Sequence, residues 1–311
     1  MAKIQVSKVV DDLFGNCVKI TNGIIEVMVT IDFGPRVIHC AVCGKENIFY
    51  QDKDKTSLGE VQECYGGDII RLYGGHRVWI SPEEMPRCYY PDNAPVSYKE
   101  IENGAIFTAP VEKINYIQKS ITIKMAEDEP VIMVDNNVKN LGVWDIELAV
   151  WSITQMDKGG IEIIPQTKRE TGYLHNRSFV LWPYSVMNDE RIYWGKDFLT
   201  LKQDEKADGP FKVGLNNENG WGAYFNKGQV FLKFFDPDIN GEFYPDNGCC
   251  YETYTNEKML EAECLSQFVV LKPGEDISLN EEWELYEENR VPSGKDEDEI
   301  REIMKKYVEF D

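Results

Sequence analysis

The chain has no apolar run near the ~20 residues that a membrane-spanning helix needs, which excludes a helical membrane protein. Met1 to Asp12 alternates polar positions and carries no signal-peptide core, so a cytoplasmic protein is expected. Basic residues are scarce: 33 Lys and Arg stand against 54 Asp and Glu, a net charge of −21. That deficit argues against tracking a nucleic-acid backbone or an anionic membrane, both of which need clustered cations. Histidine occurs only three times. Zinc-site pairs are missing too. Cys40-Ala-Val-Cys43 has the spacing of half a site, but no second Cys or His pair stands at a matching distance. The eight cysteines in a chain without an export signal are expected to be reduced. Strands and helices do not alternate, which excludes a parallel doubly wound sheet.

Hydrophobic residues make up 42% of the 311 residues, enough for a substantial core. Ile25, Val27, Val29, Ile31 and Phe33 alternate with more polar neighbours at period two, the mark of a half-buried strand. Short strands recur at roughly ten-residue intervals from 98 to 155 and again to about 286, separated by turn residues, as in a sandwich or barrel. Residues 51–70 and the proline-rich 86–97 read as long loops. Only the end has helical periodicity, placing Ile300, Ile303, Met304, Tyr307 and Val308 on one face, with Ser293 or Asp296 as cap. The expectation is one all-β domain over 1–311, with a core sandwich at about 15–287 and a helix within 294–311 packed on its outside.

The densest chemistry lies in Gly74-Gly75-His76-Arg77-Val78-Trp79, followed by Glu83 and Glu84. Two glycines permit backbone closed to other residues. A proton-transfer group, a forked donor and an apolar plate then follow within a few positions. In Met259–Leu265, Leu260, Ala262 and Cys264 alternate with Glu261 and Glu263, so a strand sends the apolar set one way and both acids the other, ~7 Å apart. Asp246, Glu252 and nearby tyrosines add acids and rings upstream. A third cluster holds His175, Asn176 and Arg177, then Trp182-Pro183-Tyr184; Asn176 and Arg177 are suited to reading hydroxyls. Trp79, Trp151, Trp182 and Tyr184 are candidates to stack on a sugar ring. The acids Glu83, Asp246, Glu252, Glu261 and Glu263 also leave open an oxygen-ligated Ca²⁺, although no cofactor is required by the pattern.

In order along the chain, Asn22 to Ile38 with its Gly34-Pro35-Arg36 turn, Gly74-Gly75-His76-Arg77, Leu260 to Leu265, Leu271-Lys272-Pro273-Gly274-Glu275 and Glu282-Trp283-Glu284-Leu285 resemble the galactose mutarotase-like (aldose 1-epimerase) superfamily. The match is closest to a bacterial branch carrying GGHRxW, WPY and YPDxG segments. The resemblance covers about residues 15–287. It implies a β-supersandwich with a concave carbohydrate-binding face and a small-molecule saccharide as partner. It also implies anomer interconversion by general acid–base catalysis, with Glu263 as base, Glu261 as its alternate, and Arg77 on sugar oxygens. The family's acid histidine sits in a mid-chain His-x-Tyr-Phe-Asn motif. The corresponding stretch here, Ala149 to Gln155, has none, so His76, or else His175, is expected in its place. The alternative is a saccharide-binding or lyase/hydrolase-related protein without that chemistry. Trp79, Glu83, Asn176, Arg177, Tyr184, Asp246 and Glu252 complete the expected binding set.

Overall fold

A computed structural model describes residues 4–58, 63–239 and 243–310. Two large antiparallel sheets face each other. The first runs, in spatial order, through Gln5–Asp11, Gly15–Thr21, Ile25–Thr30, Val37–Val42, His76–Ser81, Ile146–Asp157, Met259–Leu265, Tyr251–Thr255, Phe211–Leu215 and Phe179–Leu181. Val269–Leu271 pairs with the near end of Ile146–Asp157. The second runs through Ile192–Trp194, Phe198–Lys202, Ile161–Pro165, Trp221–Asn226, Gln229–Phe235, Asp276–Glu287, Val131–Asn140, Ile117–Met125, Gly104–Thr108 and Ser97–Ile101. The all-β sandwich expected from period-two alternation is therefore present. Met259–Leu265 and Val269–Leu271 are separate strands, broken at Ser266 to Phe268. Gln5–Asp11 forms an edge strand that lies outside the expected 15–287 core.

The double glycine acts through close backbone approach. Gly74 and Gly75 have φ of +96° and +68°, and a Cβ there would lie 2.3 Å from the Tyr50 carbonyl oxygen and 2.1 Å from that of Val37. Only a residue without a side chain can lead the chain into His76–Ser81 here. From that entry the strand alternates strictly. His76 and Val78 turn toward the second sheet, and Arg77 and Trp79 turn away from it.

Apolar burial between the sheets centres on Trp283, Phe49 and Phe231, whose rings meet edge-on at centroid separations of 5.4–5.6 Å. A polar cluster crosses the same layer. Lys233, fully buried, reaches Glu281 at 3.1 Å and donates to Thr154 Oγ1 and the Ala262 carbonyl at 3.0 Å each. Glu281 also accepts from Trp283 Nε1 at 2.8 Å and from Ser152. Buried charge without such partners would be strongly unfavourable.

The terminal helix spans Glu297–Met304, shorter than its periodic pattern, and Asp296 is its cap, accepting from the amides of Asp298 and Glu299 at 3.1 Å. Ile300, Ile303 and Met304 bury against Ile161, Phe198, Trp221 and Val230 on the outer face of the second sheet. No helix among the described residues is long and apolar enough to cross a membrane.

Candidate functional site

Strand register assembles the outer face of the first sheet. Arg77 stands opposite Ile153, Ile153 opposite Glu263, and Glu263 opposite Glu252. One row along, Gln155, Glu261, Tyr254 and Lys212 line up across four strands, and Trp79 faces Trp151. Five strands distant in sequence thus put two cations, three carboxylates and two indoles on one surface. They surround a hollow of about 320 Å³ whose wall includes Arg77, Trp79, Glu83, Tyr89, Trp151, Tyr184, Lys212, Tyr254 and Glu261. That volume lies at the small-molecule end of binding cavities.

The floor is electrostatically dense. Lys212 Nζ lies 2.7 Å from Glu252 Oε2 and 3.0 Å from Glu263 Oε2, and sits over the faces of Trp151 and Trp182 at 4.7 and 4.6 Å. Burial alone lowers the affinity of this ammonium for its proton, but Glu263 and Glu252 outweigh it and hold the group charged well above the ordinary lysine range. Glu263 is fully buried, and its Oε2 also accepts from Trp151 Nε1 at 2.7 Å. The cation that these carboxylates gather around is Lys212. Among the described residues no group of three or more His, Cys, Asp or Glu is arranged to hold a metal ion.

Glu261 differs from Glu263 because it reaches the hollow. Its Oε1 accepts from Gln155 Nε2 at 2.6 Å and lies 3.8 Å from Arg77 Nη2. Burial, then the neighbouring Glu263, raises its pKa from 4.5 to about 7. Arg77 is 4% exposed, and its guanidinium lies 4.2 Å over the Trp79 ring. Two of its nitrogens, Nε and Nη1, are shielded from solvent and have no partner. Burial lowers its pKa to about 10, so it remains a cation at neutral pH. Buried donors left open at a cavity wall are set to meet acceptors on a ligand.

The expected site residues divide by face and by loop. Arg77, Trp79, Glu83, Tyr184, Glu252, Glu261 and Glu263 come together at or beneath the hollow. His76 does not. It lies on the opposite face of its own strand, completely buried, with Nδ1 2.8 Å from Thr154 Oγ1 and Nε2 2.8 Å from Asn136 Oδ1, edge-on to Trp283. Burial drops its pKa to about 4, which keeps it neutral. The strand's period of two makes it impossible for adjacent residues 76 and 77 to serve one site. Asn176 and Arg177 brace their own loop, donating to the carbonyls of Arg169 at 3.0 Å and Thr167 at 2.9 Å. His175 is exposed in that loop, Asp246 is exposed in the turn Pro245–Gly248, and neither lines the hollow. Lys212 was not foreseen. Its signal was available in Phe211-Lys-Val-Gly-Leu215, where apolar alternation leaves Lys212 on the opposite face from Phe211 and Val213.

Comparison with known proteins adds the frame. No family model and no curated protein matches the chain. Among solved structures, a galactose mutarotase-like protein from Clostridium acetobutylicum superposes with a TM-score of 0.52 at 11% identity, over 92% of this chain and 99% of that one. One from Lactobacillus casei gives 0.52 at 9% identity, over 87% and 100%. The chain has the galactose mutarotase-like fold. A TPR-domain-containing protein from Parabacteroides distasonis also superposes, with a TM-score of 0.59 at 13% identity. It covers 89% of this chain, which spans about half of that longer protein. On this mutarotase-like frame the sheet strands of Arg77 and Glu261 converge on one hollow, while the three histidines lie elsewhere: His76 between the sheets, His175 in a loop, and His39 beside Glu26 at 3.3 Å.

Proposed function

We propose that the hollow binds a saccharide ring and that the protein interconverts sugar anomers by general acid–base catalysis. The observation that carries the reading is Arg77: a buried guanidinium with two open donors, laid across an indole at the wall of an aromatic hollow. Sugars offer what such a wall recognises, hydroxyl and ring oxygens on the edge and C–H surfaces on the face. Neutral ligands also suit a floor where Lys212 is already engaged by Glu252 and Glu263.

In this reading Glu261, rather than Glu263, takes the proton of the anomeric hydroxyl. It borders the hollow, and a pKa of about 7 suits a base working near neutral pH. Glu263 holds Lys212 and Trp151 in place beneath it. As the ring C–O bond breaks, the ring oxygen takes up a proton; the phenols of Tyr184 and Tyr254 border the same hollow and are kept protonated by burial. Rotation about the opened C1–C2 bond and closure on the other face complete the exchange. Two-dimensional NMR exchange between α and β anomers across a panel of aldoses tests this. Acceleration above the buffer rate is expected, with kcat/KM rising through about pH 7 and a loss of at least ~100-fold in Glu261→Gln. No acceleration for any aldose contradicts it.

A second reading is favoured by the absence of all three histidines from the hollow: saccharide binding without anomer exchange. Calorimetric binding of a sugar that undergoes no accelerated exchange would select it.

A further inference from the structure

We propose that the saccharide site continues into a second subsite on the far side of Arg77, so that the ligand is a di- or oligosaccharide rather than a single sugar. This rests on the saccharide reading above. A separate hollow of about 390 Å³ lies between the Gly34-Pro35 turn, the 90–94 loop and the 109–114 segment, and Arg77 and Trp79 line both it and the first hollow. One guanidinium and one indole therefore form a shared wall. Nε and Nη1 of Arg77, buried and without a partner, belong to the side chain that the two hollows share.

The second hollow has the features of a sugar subsite in its own right. Tyr65 and Tyr90 line it with rings set edge to face at 5.2 Å, giving apolar plates. Asp92 supplies an acceptor. Its Oδ2 takes Arg36 Nε at 2.7 Å, while Oδ1 is shielded from solvent and has no partner. Charges around the wall balance, with Asp68, Asp92 and Glu112 against Arg77, Lys113 and Lys119. Lys119 and Glu112 pair with each other at 2.7 Å, both nearly buried. Balance of this kind, together with aromatic faces and an open acceptor, selects a neutral hydroxyl-rich group over a phosphate or carboxylate. A ligand that engages both hollows is longer than one ring.

Calorimetry with glucose, galactose, mannose and xylose, each against its own disaccharides maltose, cellobiose, lactose, mannobiose and xylobiose, tests the proposal. At least one disaccharide is expected to bind ten-fold or more tighter than its component monosaccharide. In Ala94→Trp, which places bulk in the second hollow from an exposed position, and in Tyr90→Ala, that ratio is expected to fall toward one. Thermal melts near the parental midpoint establish that both variants fold. A monosaccharide that binds as tightly as every disaccharide containing it overturns the second subsite and leaves the first intact. A disaccharide preference that survives in both folded variants also overturns it. Binding of no sugar of either length removes the saccharide reading and the subsite with it.

Discussion

At the scale of single residues, the site depends on partners that cannot be removed one at a time. Lys212 is 5% exposed between Glu252 and Glu263. Lys212→Met would leave two carboxylates buried without a cation, and a destabilisation of about 3–5 kcal/mol is expected from urea unfolding. Adding Glu252→Gln and Glu263→Gln to the same chain should restore part of that loss, since the uncompensated charge goes with them. Sequence reading reached the acids by alternation and found the right face for both. The resemblance put Glu263 first and Glu261 second, whereas Glu261 is the one that borders the hollow. Glu261 and Glu263 have the same residue type and the same face. Their difference, that one borders the hollow and the other sits beneath Trp151 and Lys212, comes from side chains contributed by other strands. His76 is the instructive error. A histidine beside a site arginine suggests shared chemistry, yet adjacency in a strand guarantees opposite faces, and the same alternation argument applied at residues 76 and 77 excludes it.

Elements were more legible than their ends. Period-two alternation and regular turns identified a sandwich, while the break at Ser266 to Phe268 and the edge strand Gln5–Asp11 are set by pairing partners that no local pattern names. Asn176 and Arg177 illustrate the same limit. Their residue types suit hydroxyl recognition, but the loop turns both back onto its own carbonyls. The helix was legible, but its pattern runs on to Tyr307 and Val308 whereas the helix ends at Met304, and Asp296 was one of two possible caps. Asp296 satisfies two amides at the start of Glu297–Met304 and the helix buries an apolar face against the second sheet. Asp296→Ala is therefore expected to lower stability by about 1 kcal/mol. Equilibrium unfolding checks this, and sugar binding should be unaffected because the helix packs on the sheet opposite the hollow.

Across the whole molecule, two sheets enclose a core that is partly ionic. Glu162, on the second sheet, accepts from the Tyr251 hydroxyl of the first at 2.6 Å, and burial raises its pKa from 4.5 to about 7. A carboxyl whose folded pKa is raised stabilises the fold fully below its unfolded pKa, near 4.5, and loses that contribution as pH rises through about 7. Glutamine does not titrate. The stability of Glu162→Gln relative to the parent is thus expected to improve between pH 4.5 and pH 8, by on the order of 3 kcal/mol. Denaturant melts at a series of pH values read the difference directly. A gap that stays constant with pH would mean that Glu162 titrates alike in the folded and unfolded chains.

The central claim is that Arg77 presents open, buried donors to a saccharide bound against Trp79 and Glu261. Its most direct test is the dissociation constant of the tightest-binding sugar for the parent and for folded Arg77→Ala. The account predicts weakening of at least ~30-fold, about 2 kcal/mol. Equal affinity in the two proteins would contradict it.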